Sequence, residues 1–256
     1  MTIELRGARR FLTEASTSAP PTARSLRQAP TPFPLRINGN AQLPSAPVRT
    51  ERARSLYALW LKRGIDIAGA TLALLLALPV FLLLIVALWL EGGKPFYAQT
   101  RLGRDGRLFR MLKLRSMVPD AETKLTACLD ADPALRMEWE HSQKLKNDPR
   151  ITPLGRLIRK TSMDELPQLI NVLKGDMSLI GPRPMLPDQL PLYLHPSAYL
   201  SVRPGLSGLW QVTARNDDSF EVRAEIDKHY VENLSATGDL RILVATFGAV
   251  VAATGY

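Results

Sequence analysis

One apolar run dominates the chain. After Asp66 no charged residue appears until Glu91. As a helix, the uncharged stretch Ile67–Leu90 would extend ~36 Å, enough to cross a bilayer core. A buried helix of a soluble protein rarely runs this long without a polar face, so the pattern predicts a membrane helix. Pro79 lies in the middle of the run, where it removes a backbone hydrogen bond and bends the helix. Basic residues flank both ends: Arg52, Arg54, Lys62 and Arg63 before it, Lys94, Arg101, Arg104 and Arg107 after it. Lysine and arginine favour the cytoplasmic side. The expectation is therefore a re-entrant helix, kinked at Pro79, that enters and leaves by the same face. Tyr57 and Trp60, beside Lys62 and Arg63, suit the membrane interface.

Beyond the run the periodicity changes. Phe96–Gln99 predicts a short strand, Gly103-Arg104-Asp105-Gly106 a turn, and the alternation over Leu108–Leu114 a second strand, together a hairpin. Residues 119–145 predict two charged helical pieces that break at Asp132-Pro133. Ile151, Leu154, Leu157 and Ile158 recur at helical spacing, with Arg156, Arg159 and Lys160 on the other side. A further helix is expected from Glu165 to about Lys174. Its start admits two readings: a capping box of Ser162 with Glu165, or Asp164 as the N-cap with Pro167 in the first turn. Residues 175–220 are turn-rich, and Arg203–Val212 predicts a rigid turn, a small-residue loop and a short strand. Helices are expected again from Phe220 to Leu234 and from Asp239 to Ala253, the last a core or interfacial helix too short for an ordinary span. The fold class expected is mostly α with a small β element (α+β).

Composition sharpens this picture. The chain carries 33 Lys+Arg against 24 Asp+Glu, a net charge of +9. Most of that excess lies in residues 1–63, which hold eleven basic residues and three glutamates. The first fifty residues, with Pro20, Pro21, Pro30, Pro32, Pro34, Pro44 and Pro47, read as a disordered tail. The tail reads first as a solvated segment; because a membrane helix follows it, the alternative partner for its charge is anionic lipid rather than nucleic acid. Three parts are expected: a basic, proline-rich tail over 1–55, an interfacial and re-entrant segment over 56–94, and a cytoplasmic catalytic domain over 95–256 that lies on the membrane. One cysteine, Cys128, leaves no disulfide framework and no cysteine metal site. The histidines at 141, 195 and 229 show no ligand spacing.

Candidate chemistry centres on Asp164-Glu165. Two acids at a helix start are commonly caps that complement the helix dipole. A carboxylate can also attack phosphorus, and its neighbour can hold Mg2+. Arginines held by proline turns, Arg183 in Gly181-Pro-Arg-Pro184 and Arg203 in Arg203-Pro-Gly205, are suited to phosphate, as is Arg215.

Eight motifs in order resemble the bacterial sugar transferase family, monotopic polyprenyl-phosphate phosphoglycosyl transferases that initiate exopolysaccharide and related glycans. They are Lys62-Arg63-Gly64-Ile65-Asp66, with Pro79 in the run that follows; Gln99-x-Arg101-x-Gly103; Phe109-x-x-x-Lys113-Leu-Arg115-Ser-Met117; Asp148-Pro-Arg150-Ile-Thr-x-x-Gly155-x-x-x-Arg159; Ser162-x-Asp164-Glu165-Leu-Pro-Gln168; Asn171-Val-Leu-x-Gly175-Asp176-Met-Ser; Gly181-Pro-Arg-Pro184; and Arg203-Pro-Gly-x-Ser-Gly-Leu-Trp-Gln211-Val. The resemblance covers roughly residues 57–250. It implies an enzyme of the inner membrane, cytoplasmic face, that transfers a sugar-1-phosphate from a UDP-sugar to undecaprenyl phosphate and releases UMP. By similarity Asp164 is the nucleophile that carries the phosphosugar, and Glu165 is the Mg2+ ligand. Lys113, Arg159, Arg183 and Arg203 are the implied substrate-binding residues. The implied partners are the UDP-sugar, polyprenyl phosphate and inner-membrane lipid, with a homo-oligomer a further expectation. Some relatives carry extra membrane helices before the shared region, so this chain is expected to be a minimal catalytic form with a polar extension. The competing reading is a catalytically silent, membrane-anchored adaptor of a glycan-assembly complex.

Overall fold

The apolar run forms a single helix, α1, from Lys62 to Leu90, with Pro79 inside it. This computed structural model describes Tyr57 and residues 61–142, 145–214 and 220–251. The expected tail, Trp60 and Arg215 lie outside the described residues. By length and composition α1 is able to cross a membrane. Much of its surface is uncovered, including Leu72, Leu75, Leu76, Leu82, Leu83 and Val86. One stripe is not. Ala70 packs with Phe109, Met111, Leu169, Val172 and Met177, and Phe81, Leu84 and Leu88 pack with Leu114 and Ile158. Both halves of α1 thus lie against the same body.

Polar contacts hold the start of α1 to that body. Asp66, buried, accepts from the Ser178 hydroxyl and the Leu179 N–H, each at 2.9 Å. Arg63 donates to the carbonyls of Val172 and Leu173 at 2.7 and 2.9 Å. Lys62 reaches the Ile180 carbonyl and Asp239, and Asp239 also accepts from the Tyr57 and Tyr230 hydroxyls.

The predicted hairpin forms from β1 (Phe96–Leu102) and β2 (Leu108–Leu114), antiparallel, with Tyr97 opposite Lys113. Its turn places Asp105 and Gly106 at positive φ, which glycine adopts freely and aspartate tolerates. Phe109, Met111 and Leu114 are the buried residues of β2, and Lys113 follows Met111 on the same side of the strand. The charged stretch divides at Asp132 into α2 (Ala121–Ala131) and α3 (Pro133–Ser142), and the Asp132 carboxylate accepts from the Ala134 N–H.

Helix α4 (Pro153–Lys160) begins on a cap the residue pattern did not single out. The Thr152 hydroxyl accepts from the Gly155 N–H at 2.9 Å, and Pro153 fills the first helical position. Neither expected start of the next helix forms. Ser162 has φ 55 and its side chain caps nothing, and Asp164 and Glu165 sit in a 3-10 turn, Met163–Glu165. Helix α5 starts only at Gln168 and runs to Lys174. A helix capped at Ser162 would need a Pro167 N–H to bond the Met163 carbonyl, and proline has none. The Leu166 and Ile170 N–H groups bond three residues back, to Met163 and Pro167. Gly175, at φ 91, closes α5 in the left-handed conformation.

The second sheet also departs from expectation. The strand falls on the small residues, β4 (Gly205–Ser207), parallel to β3 (Ser178–Ile180), while Leu209–Thr213 is helical, α7. Gly205 permits this approach, since a Cβ there would lie 2.1 Å from the Gly181 nitrogen. Helix α6 (Pro196–Ser201) precedes β4, and α8 (Phe220–Glu232) and α9 (Ala236–Val251) complete the chain. Ile242 of α9 is buried, whereas Leu240, Val244 and Phe247 are exposed. Helices with two small sheets match the expected α+β class.

Candidate active site

The chemistry gathers where β2 meets the turn before α5. Lys113 Nζ lies 3.1 Å from Asp164 Oδ2 and 3.0 Å from Glu165 Oε1, bridging the two acids. Buried Asn171 fixes that strand. Its Oδ1 accepts from the Leu112 N–H, and its Nδ2 donates to the Arg110 carbonyl, both at 2.9 Å, as a neighbouring strand would. Asn171 belongs to α5, so one side chain sets β2 against the turn that carries the acids.

Asp164 is 9% exposed. Burial holds its carboxyl above the usual carboxylate range. Lys113 and, more weakly, Arg159 pull the value back, and Glu165 pushes it up. Arg159 comes from the last turn of α4, directly after Ile158 packs on Leu114.

A cleft open to solvent lies beside the acids. Its walls include Arg101, Lys113, Glu165, Gln168, Arg183 and Gln211. Asp164 is not among the lining residues and stands behind Lys113. Arg183 is exposed, and its guanidinium has no partner among the described residues. Arg101 donates to Gln99 Oε1 at 2.6 Å, but its Nε is buried without an acceptor. Burial, then the charges of Arg183 and Arg223, lower the Arg101 pKa. Arg101 and Arg183 form no ion pair among the described residues, and the one carboxylate in the lining, Glu165, is held by Lys113, so the arginines make the cleft attractive to an anion.

Arg183 is held from below. Arg223 of α8 donates to the Arg183 carbonyl and lies over the rings of Tyr193 and Trp210, at 5.9 and 5.6 Å from their centroids. The Tyr199 hydroxyl donates to the Leu102 carbonyl at 2.6 Å and accepts from the Met185 N–H at 3.1 Å, joining the end of β1 to the Gly181–Pro184 turn.

The structure thus brings Lys113, Asp164, Glu165 and Arg183 to one place, with Arg159 near Asp164. It takes Arg203 elsewhere. That side chain donates from Nε to the Gly175 carbonyl at 2.8 Å, close to Arg63, at the end of α5. Arg101, Gln168, Asn171 and Gln211 were quoted in motifs but not assigned to the site. For Arg101 the signal was the basic hairpin, which fits phosphate and lipid headgroups equally well.

A divalent cation has donors here. Among the described residues no three His, Cys, Asp or Glu side chains converge on a point. Mg2+ does not require such a cage. It takes one or two carboxylates and completes its shell with water and phosphate oxygens. Asp164 and Glu165, already converging on one cationic group, fit that pattern.

Buried acid, bridging lysine and anion-seeking cleft define a carboxylate-centred site on the body that packs against the apolar helix α1. A profile of the bacterial sugar transferase family matches residues 57–253, and the chain belongs to that family. It is 48% identical over 197 residues to the UDP-galactose-lipid carrier transferase of Erwinia amylovora, covering 77% of this chain and 41% of the relative. Against the undecaprenyl-phosphate galactose phosphotransferase of Salmonella typhimurium the identity is 47% over 197 residues, with the same two shares. The exopolysaccharide production protein ExoY of Sinorhizobium fredii is 43% identical over 196 residues, 76% of this chain and 87% of the relative. The chain therefore spans about two-fifths of the two larger transferases.

Proposed function

We propose that this protein transfers a sugar-1-phosphate from a UDP-sugar to undecaprenyl phosphate, releasing UMP through an aspartyl-phosphosugar intermediate. The observation that carries the reading is the buried Asp164, bridged by Lys113 to Glu165 beside the arginine-lined cleft. Relatives named for undecaprenyl-phosphate and lipid-carrier transfer support the pair of substrates.

In the first step an Asp164 carboxylate oxygen bonds to the β-phosphorus of the donor. The bond from that phosphorus to the bridging oxygen breaks, and its electron pair leaves with UMP. In the second step an oxygen of the lipid phosphate attacks the same phosphorus. The Asp164–phosphorus bond breaks and the carboxylate is restored. A carboxylate nucleophile divides one hard transfer into two easier ones. Lys113 stands between Asp164 and the cleft, so it transfers its hold from the acids to the donor's phosphate. Arg183 and Arg101 offset the charge on the phosphoryl oxygens. Mg2+, held by Glu165 and Asp164, would add Lewis-acid stabilisation of those oxygens. Purified protein with polyprenyl phosphate and a panel of UDP-sugars should release UMP with at least one donor. Release from none sinks the proposal.

The reactive form of Asp164 is the anion, and its pKa is raised. Activity should therefore fall, as pH is lowered, in a less acidic range than an ordinary aspartate would give. Lys113→Met removes the main attraction that pulls this pKa down. The acid limb of the pH–rate profile should move to higher pH, and turnover at the optimum should drop by about 10²-fold. An unmoved limb would contradict this role for Lys113.

We further propose that α1 is re-entrant, bent at Pro79, with the catalytic body on the cytoplasmic face of the inner membrane. The packing of Ala70 and of Leu88 onto one body supports this, because that body cannot stand on both sides of a bilayer. Single cysteines from Ser55→Cys and Lys94→Cys, in a Cys128→Ala background, should react with an impermeant maleimide from the same side. Labelling from opposite sides would show a full span.

A further inference from the structure

The same cleft holds polar atoms that catalysis leaves unexplained. Gln168 is 3% exposed, and its Nε2 has no acceptor among the described residues. In the same cleft lining, Gln211 Oε1 is buried with no donor among the described residues. Buried polar groups in folded proteins are nearly always paired, so two orphaned amides lining one cleft need an account. Neither atom has exposed surface. Rotation about the last side-chain torsion, which is soft in glutamine, turns each amide toward the cleft.

The two orphans are of opposite kind. Gln168 offers an N–H donor and Gln211 an oxygen acceptor. A partner that satisfies both presents an acceptor and a donor on one edge. The apolar parts of the wall, Met111, Pro184 and Leu206, suit a flat face. A sugar ring carries hydroxyls around its rim and gains less from such walls. A planar cyclic imide meets both conditions, with its carbonyl facing Gln168 Nε2 and its N–H facing Gln211 Oε1. The adjacent arginines, Arg101 and Arg183, supply the counterpart for an attached phosphate.

We infer that Gln168 and Gln211 read the uracil edge of the nucleotide, making this cleft the subsite for the UMP portion of the donor. The inference rests on the donor reading above. Cytosine presents an amino donor where uracil has a carbonyl, and a ring-nitrogen acceptor where uracil has N–H. Both would oppose the glutamines, so a site built to bond one edge rejects the other strongly.

Binding of UMP, CMP and N3-methyl-UMP to the full chain in lipid nanodiscs tests this by calorimetry. UMP should bind at least about tenfold more tightly than either analogue. Gln211→Leu and Gln168→Leu should each weaken UMP about tenfold and bring it level with CMP. Gln211→Glu keeps the acceptor and should keep the preference for UMP over N3-methyl-UMP. A native protein that binds all three alike, or Leu variants that keep the full preference, would overturn the assignment. So would variants that bind UMP normally but change the choice among UDP-sugars, which would give the glutamines to the sugar. If the native protein, with native circular dichroism, binds no UMP at all, the donor reading itself falls along with this one.

Discussion

Asp164→Asn is expected to abolish turnover, by at least about 10⁴-fold, because the amide oxygen cannot displace a phosphoryl leaving group. The exchange keeps the side chain's shape and its capacity to accept from Lys113 at 3.1 Å. The loss should therefore appear with little change in stability or in UMP affinity. Burial works in the enzyme's favour before the donor arrives. It raises the Asp164 pKa and makes the carboxylate more basic, while Lys113 keeps the anion populated. Glu165→Gln should behave differently. Glu165 lines the cleft but is not the assigned nucleophile, so that variant should keep a measurable first step and lose rate through weaker metal binding. Equal and complete loss in both variants, with no adduct in either, would leave the nucleophile unassigned.

The second large effect is on the fold. Gly155→Val should destabilise the protein by about 4 kcal/mol or more, since a new side chain has no room and the obstruction is backbone. A Cβ at Gly155 would lie 2.0 Å from the Ser116 carbonyl oxygen and 2.7 Å from its carbon. That contact seats α4 against the segment leaving β2, where the Thr152 N–H donates to the same Ser116 oxygen at 3.2 Å. The strand and helix so joined deliver Lys113 and Arg159 to Asp164. A drop of ~10 °C or more in Tm, or failure to recover folded protein, is the expected readout. A variant of native Tm would show that α4 sits less tightly than this packing requires.

Local sequence carried some of this architecture and not the rest. The uncharged run marked α1, alternation marked the hairpin, and Asp132-Pro133 marked the break between α2 and α3, because each depends on neighbours in sequence. The acids were visible as a pair, but their conformation was not. Two helix starts competed for the same residues, and the chain takes neither: a 3-10 turn, Met163–Glu165, precedes α5. Asn171 looked like one more polar residue on a short helix. Its role depends on β2, some sixty residues earlier, lying alongside. Arg203 and Arg101 show the same limit. Both stand in motif sequences, yet Arg203 turns to the Gly175 carbonyl while Arg101 faces the cleft. The parallel pairing of β3 and β4 went unseen because two three-residue strands, rich in small residues, leave no periodic trace.

The central claim is that one carboxylate carries the phosphosugar. Incubating the protein with a reactive UDP-sugar, omitting the lipid phosphate, and sequencing the peptide that spans Ser162–Gln168 by tandem mass spectrometry tests it directly. A sugar-phosphate mass is expected on Asp164, and it should disappear when undecaprenyl phosphate is added. An adduct on Glu165, or rapid UMP release with the peptide unmodified, would contradict it.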